Sequence, residues 1–223
     1  RLLYREHLRE SLDRIFEKRL DRSLMRDVLE GKVFGIGTES FTVGSHEFYL
    51  AYAAGHHVGI CMDTGHYHPT ENVADKLSAM VPLIDDVLLH ISRGLRWDSD
   101  HVLIQGDDLS ALMQEMKRGG FFHRVGMGLD YFDASINRVA AWVIGLRAAG
   151  KAMLTALLEP SALLEQAEAD GDFTARLALT EEFKNLPANA VWEYLCLQEG
   201  VPVGTDWLTV LRRYEQDVQS KRR

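Results

Sequence analysis

Apolar and polar positions fall into blocks along this chain, and the period changes from block to block. Leu2, Leu3, Leu8, Leu12, Ile15, Phe16 and Leu20 recur at helical spacing with charges between them, which predicts an amphipathic helix over roughly the first twenty residues. No cap precedes that helix, so the chain is expected to open inside it and to lack residues upstream. The segment Leu24 to Lys32 reads as a strand, and an extended backbone places Glu30 and Lys32 on the same side of its end. A Gly-rich loop over 33–40 and a helix over Glu47 to Ala54 follow, and Gly35-x-Gly37 is too common a pair to indicate a nucleotide site.

The second block is the most informative. Val58 to Met62 is a continuous apolar run, the pattern of a strand buried on both faces, and it delivers Asp63 and His66 into a turn marked by Gly65 and Pro69. A helical pattern from Thr70 or Glu71 to Asp85 comes next. The third block repeats the plan: an apolar strand from Val87 to Ser92 carrying His90, a return loop from Arg96 to His101, and a helix over Leu109 to Lys117. In the fourth, Arg124 to Asp130 is a strand ending in Asp130, and a long helix spans Ser135 to Leu157. Four successive strand-then-helix units predict an α/β fold with a parallel sheet and right-handed crossovers. Beyond Pro160 the pattern is helical only, over 161–169, 173–184, 188–199 and 205–220, with Gly171, Pro187, Pro202 and Gly204 between the helices. The expected division is therefore 1–159 for the sheet-forming part and 160–223 for a helical extension that makes an oligomer contact.

Composition narrows the function. With 46% hydrophobic and 26% charged residues, the chain has the make-up of a soluble globular protein. The formal charge of −8 repels a phosphate backbone and no basic stripe interrupts it, so nucleic acid is not an expected partner. Cys61 and Cys196 lie in apolar runs and suggest neither a disulfide framework nor a zinc finger, which favours a reducing cytoplasm. No apolar run nears the roughly 18 residues of a membrane span, so no membrane partner is expected either.

The chemistry sits at the strand ends. Asp98 and Asp100, two apart in extended backbone, project to one side and can bracket a cation. Asp63 and His66 cross a turn, so an oxygen and a nitrogen can converge from one loop. With Glu30, His90 and Asp130 they make seven candidate ligands, five carboxylates and two imidazoles, with no thiolate. That oxygen-rich set favours Mn²⁺, Mg²⁺ or Co²⁺ over a structural zinc. Five carboxylates around one pocket repel one another unless about two divalent ions neutralise them. Taken singly, each residue has a plainer role: Asp130 or Glu30 as a helix cap, Asp98-Ser99-Asp100 as a solvated turn, His90 as a core histidine, and Lys32 as a partner of Glu30. His56, His57, His68 and His101 read as surface or supporting residues. The recurrence of the seven at corresponding points of four units is what points to a site.

Glu30-x-Lys32, Asp63-x-x-His66, His90, Asp98-x-Asp100 and Asp130 together resemble the two-metal site of sugar isomerases with a xylose-isomerase-like barrel. Phe34-Gly35-Ile36-Gly37, Thr42-Val43-Gly44-Ser45, the run Gly65 to Glu71, the run Arg96 to His101 and the run Phe132 to Arg138 resemble the L-rhamnose isomerase family specifically, over essentially the whole chain. The resemblance implies a (β/α)₈ TIM barrel of which this chain supplies strands five to eight, in a homotetramer of a protein about twice this length or complemented by an N-terminal half. It implies the interconversion of L-rhamnose and L-rhamnulose by a metal-assisted 1,2-hydride shift with two divalent ions, Mn²⁺ first and Mg²⁺, Co²⁺ or Zn²⁺ as substitutes. Carried over by position, Glu30, Asp63, His90 and Asp130 hold a structural ion. His66, Asp98 and Asp100 hold the catalytic one, Asp63 bridges, and Lys32 attends the O1 side of the sugar. A two-metal hydrolase on the same superfold and a non-catalytic metal-binding fragment are the alternatives from other classes.

Overall fold

The computed structural model describes residues 1–32, 41–95 and 100–222. In chain order these form α1 (Leu2–Ile15), β1 (Val28–Glu30), α2 (His46–His56), β2 (Gly59–Asp63), α3 (Ala74–Met80), β3 (Val87–Ile91), α4 (Asp107–Arg118), β4 (Val125–Leu129), α5 (Arg138–Leu158), α6 (Ser161–Ala169), α7 (Phe173–Phe183), α8 (Ala188–Gln198) and α9 (Trp207–Asp217). Short 3-10 turns occupy Phe121–His123 and Gln219–Lys221. Two compact units are distinguished, one of residues 1–103 and 115–132, the other of residues 104–114 and 133–223.

The first unit holds the sheet. Its four strands are all parallel and lie in sequence order, β1-β2-β3-β4, with no reversal. That order belongs to strands laid one beside the next around a barrel, whereas a doubly wound sheet reverses direction at a switch point. Every residue of β2 is buried, as its unbroken apolar run requires. In β3, Val87, Leu89 and Ile91 are buried while Leu88 and His90 are half-buried, so the two-residue period sends the imidazole to the face opposite the packed aliphatic side chains. Among the described residues β1 and β4 each pair along one edge only.

Two elements are shorter than their sequence pattern suggests. The strand expected from Leu24 is confined to Val28–Glu30, because Asp21 to Leu24 is folded into a turn in which the Asp21 carboxylate accepts from the Ser23 N–H. The helix expected from Thr70 starts at Ala74, where the Asn72 side chain accepts the Ala74 N–H, and it stops at Met80 ahead of Pro82.

The second unit is helical, and α5 is its longest element. Ala141, Gly145, Ala148, Ala152 and Ala156 form a buried stripe of small residues along it, and α8 and α9 pack against α5. Gly150 belongs to the same packing: a Cβ there would lie 2.9 Å from the Trp192 ring. By length and composition alone α5 is apolar enough to cross a membrane, which counting uninterrupted apolar runs did not reveal because Arg147 and Lys151 divide it. Those two side chains bond within the unit, Arg147 to the Pro202 and Gly204 carbonyls and Lys151 to Asn189. The helix begins at Arg138 and not at Ser135 because Asn137 caps it. Its Oδ1 accepts from the Val139 and Ala140 N–H groups, and its Nδ2 donates to Glu215 and Gln219, both at 2.7 Å. Asn137→Ala is expected to destabilise this unit by about 1 to 2 kcal/mol, read as a lower denaturant midpoint at unchanged slope.

Candidate metal centre

The site is assembled at the C-terminal ends of the four strands, within the first unit. Register explains which residue types meet there. Asp63 pairs with His90, and His90 with Gly128, so these share one face and one level. Glu30 pairs with Cys61, two residues below Asp63, and starts about 6 to 7 Å lower along the sheet. The longer glutamate side chain spans that step: its Oε1 lies 2.9 Å from His90 Nδ1. Asp130 stands just past β4, and its Oδ2 lies 3.2 Å from the same nitrogen. Gly128, directly beside His90, contributes no side chain, and a Cβ there would come to 3.5 Å of the imidazole.

Asp63 is the centre of the arrangement and is 1% exposed. Its Oδ1 accepts from the Gly65 N–H at 2.7 Å and the Ser92 hydroxyl at 2.8 Å. Thr64 ties the same two loops together, donating through Oγ1 to the Ser92 carbonyl and accepting the Ser92 N–H. Asp63 Oδ2 is buried with no hydrogen-bond partner and lies 3.8 Å from His90 Nδ1. The chain thus fixes one carboxylate oxygen with two donors and leaves the other bare, a costly state for a buried anion that a cation relieves.

Two sets of ligand atoms share this carboxylate. Glu30, Asp63, His90 and Asp130 form one, and Asp63, His66 and Asp100 the other, with the atoms of each set within 4.8 Å of one another. His66 is 4% exposed, and its Nε2 lies 3.1 Å from Asp100 Oδ1. Asp100 is held at the mouth of its loop by the antiparallel bridge between Arg93 and His101 and by the Phe132 N–H, which donates to the Asp100 carbonyl. Oxygen and imidazole donors in these numbers suit divalent cations of the Mn²⁺ or Mg²⁺ kind.

The two carboxylates of the second set are driven apart electrostatically. Burial pushes the Asp63 carboxyl up to about 6, against the opposing pull of His66 and its own hydrogen bonds. Hydrogen bonding from His66 holds Asp100 below the usual carboxylate range, with smaller help from the charges of His66 and Lys32. Lys32, half-buried just past β1, therefore acts on the second set, and its backbone N–H donates to the Gly44 carbonyl. Protons and cations compete for Asp63. Mn²⁺ affinity is expected to fall about tenfold per pH unit below about pH 6, measured by titration between about pH 5 and about pH 7.5.

Six of the seven sequence-predicted ligands meet in these two sets, together with the nearby Lys32. Asp98, and with it Arg96, Trp97, Ser99 and the Gly-rich loop 33–40, lies outside the described residues. The expectation that no thiol joins the cluster is corrected: Cys61 Sγ lies 3.5 Å from Glu30 Oε1, and Glu30, Cys61 and His90 also fall within the 4.8 Å limit. Burial, followed by the charge of Glu30, raises the Cys61 thiol well above its ordinary range, so it is a protonated donor to that carboxylate. Its position two residues before Asp63 on a strand was the available signal. Ser92 and Thr64 were also missed, although each directly follows a strand end that carries a ligand or the residue before it.

A family model described as L-rhamnose isomerase (RhaA) matches residues 1–222. The chain is 53% identical over 218 residues to the L-rhamnose isomerase of Rhodopirellula baltica, covering 98% of this chain and 51% of that protein. It is 51% identical over 222 residues to the L-rhamnose isomerase of Citrobacter koseri, covering 100% of this chain and 53% of that one. The enzyme of that name from Salmonella newport is 52% identical over the same length. The chain spans about half the length of the curated relatives it matches.

Proposed function

The chain belongs to the L-rhamnose isomerase family, and from that premise we propose that it carries the two-cation site of an enzyme interconverting L-rhamnose and L-rhamnulose. The observation that supports this most strongly is Asp63, one buried carboxylate common to two ligand sets and bare at the oxygen that faces His90. A pair of divalent cations, Mn²⁺ in this reading, supplies Lewis acidity that lowers the cost of charge developing on adjacent sugar oxygens. The remaining work falls to the side chains. Glu30, Asp63, His90 and Asp130 hold the structural position, and His66, Asp98 and Asp100 the catalytic one. Lys32, a cation that cannot ligate, holds the O1 side of the sugar through its ammonium donors. The low pKa of Asp100 keeps it an acceptor at neutral pH, able to orient a hydroxyl proton as it moves between O2 and O1. The hydrogen on C2 passes directly to C1.

The sequential parallel order of β1 to β4 supports their placement as strands five to eight of a (β/α)₈ barrel, with chemistry at the C-terminal strand ends. In this reading residues 1–159 furnish that half-barrel and 160–223 the extension, the remaining strands come from the rest of a longer protein or from an N-terminal half, and the enzyme is a cytoplasmic homotetramer. L-rhamnose deuterated at C2 tests the reaction. The complete enzyme is expected to return ketose with deuterium on C1. Absence of ketose contradicts the isomerase reading, and ketose that has lost its label to water contradicts the direct transfer.

A further inference from the structure

One imidazole outside both ligand sets touches the two segments that carry them. His46, half-buried at the start of α2, lies with Nε2 3.0 Å from the backbone carbonyl oxygen of His66, and because a carbonyl only accepts, the ring donates. The ring stacks on Tyr67, centroids 4.1 Å apart and planes within 8° of parallel, and Lys76 stands 5.4 Å over the Tyr67 ring while pairing with Glu71. The other contact is with β1's exit. A Cβ built on Gly31 would lie 2.6 Å from His46 Nδ1 and 3.1 Å from His46 Cα, distances that real side chains do not adopt. Gly31 is not among the residues with positive φ, so space taken by the His46 ring, and not backbone conformation, is what reserves this position for glycine.

Gly31 separates Glu30 from Lys32, and the His66 carbonyl belongs to a ligand of the other set. The ring therefore bears on the strand end that presents Glu30 and on the turn that presents His66. A residue that orients a ligand without touching the cation commonly sets its affinity by ten- to a hundredfold. We propose that His46 is the positioning residue of the second set: it fixes the turn that aims His66, and through Gly31 it ties that turn to the exit of β1. The proposal rests on the reading that Asp63, His66 and Asp100 hold a cation, and it adds a residue and a coupling to that reading.

Mn²⁺ titration of the 223-residue chain tests it without reference to turnover. His66→Ala first identifies which binding phase belongs to the second set. His46→Ala is expected to weaken that phase by about tenfold or more and the other by less than about threefold. His46→Gln, whose amide can donate to the same carbonyl, is expected to recover most of the loss. Gly31→Ala is expected to weaken both phases in the wild-type background and to add nothing in the His46→Ala background, because the obstructing ring is gone. Unchanged affinity in His46→Ala overturns the proposal. So does equal weakening of both phases with a lowered melting temperature, the signature of a role in packing alone, and so does a Gly31→Ala effect that persists when His46 is absent. If His66→Ala removes no phase, the second set itself is misassigned and the proposal fails with it, which separates the two failures.

Discussion

His66→Ala is expected to lower the rate of L-rhamnose isomerisation by about a thousandfold in the complete enzyme while leaving the chain folded with one cation bound. The imidazole is 4% exposed and is the nitrogen donor of the set formed with Asp63 and Asp100. Without it two carboxylates remain at that position among the described residues, and both repel each other in the absence of a bound cation. Lewis-acid stabilisation of developing charge contributes several kcal/mol, and about 4 kcal/mol corresponds to the thousandfold loss. The first set keeps all four of its members, so the metal content should fall from two to one and not to zero. Turnover at saturating sugar, with metal content measured on the same sample, checks both halves of the expectation. Undiminished turnover removes His66 from the mechanism.

Asp63→Asn is expected to produce a larger binding defect together with a gain in stability. Asp63 belongs to both sets, so its loss should abolish tight binding of both cations. The metal-free chain behaves differently. The folded-state pKa is about 6 and the ordinary value 3.8, so the native state binds this proton more tightly than the unfolded one. The stability associated with the group is then fully present below pH 3.8 and is lost as pH rises to about 6. Above that, the ionised, buried carboxylate costs the fold about 3 kcal/mol. An amide retains an acceptor for the Gly65 N–H and the Ser92 hydroxyl and carries no charge. At neutral pH the metal-free variant should be more stable than the metal-free wild type by about 1 to 3 kcal/mol, with no further rise on adding Mn²⁺, whereas the wild type should gain about 2.7 kcal/mol at a hundredfold excess of cation over Kd. Chemical denaturation with and without Mn²⁺ measures all four values. A destabilised metal-free variant would show that Asp63 is held by its hydrogen bonds more strongly than burial opposes it.

The strand-helix order was legible because its signals are local. The apolar run before Asp63 reports a strand buried on both faces, and Pro160, Gly171 and Pro187 punctuate the helices that follow so sharply that the expected 161–169 coincides with α6. Where the pattern overran, a single side chain had set the boundary: Asn72 for α3 and Asn137 for α5. The ligand types could be read at the strand ends, but how they group could not, since that depends on register. Only the pairing of Glu30 with Cys61 shows why a glutamate reaches a level that Asp63 occupies with a shorter chain, and why a thiol stands in the cluster. The role of His46 is equally non-local, resting on a carbonyl 20 residues away and on the absence of a side chain at Gly31.

The central claim is that two divalent cations sit side by side and share the Asp63 carboxylate. Counting bound Mn²⁺ per chain while recording its electron paramagnetic resonance spectrum tests this most directly, because two ions joined by one carboxylate are magnetically coupled. The account predicts two ions per chain and a coupled spectrum that collapses to that of an isolated ion in His66→Ala. A single ion in the wild-type chain, or two ions without coupling, would contradict it.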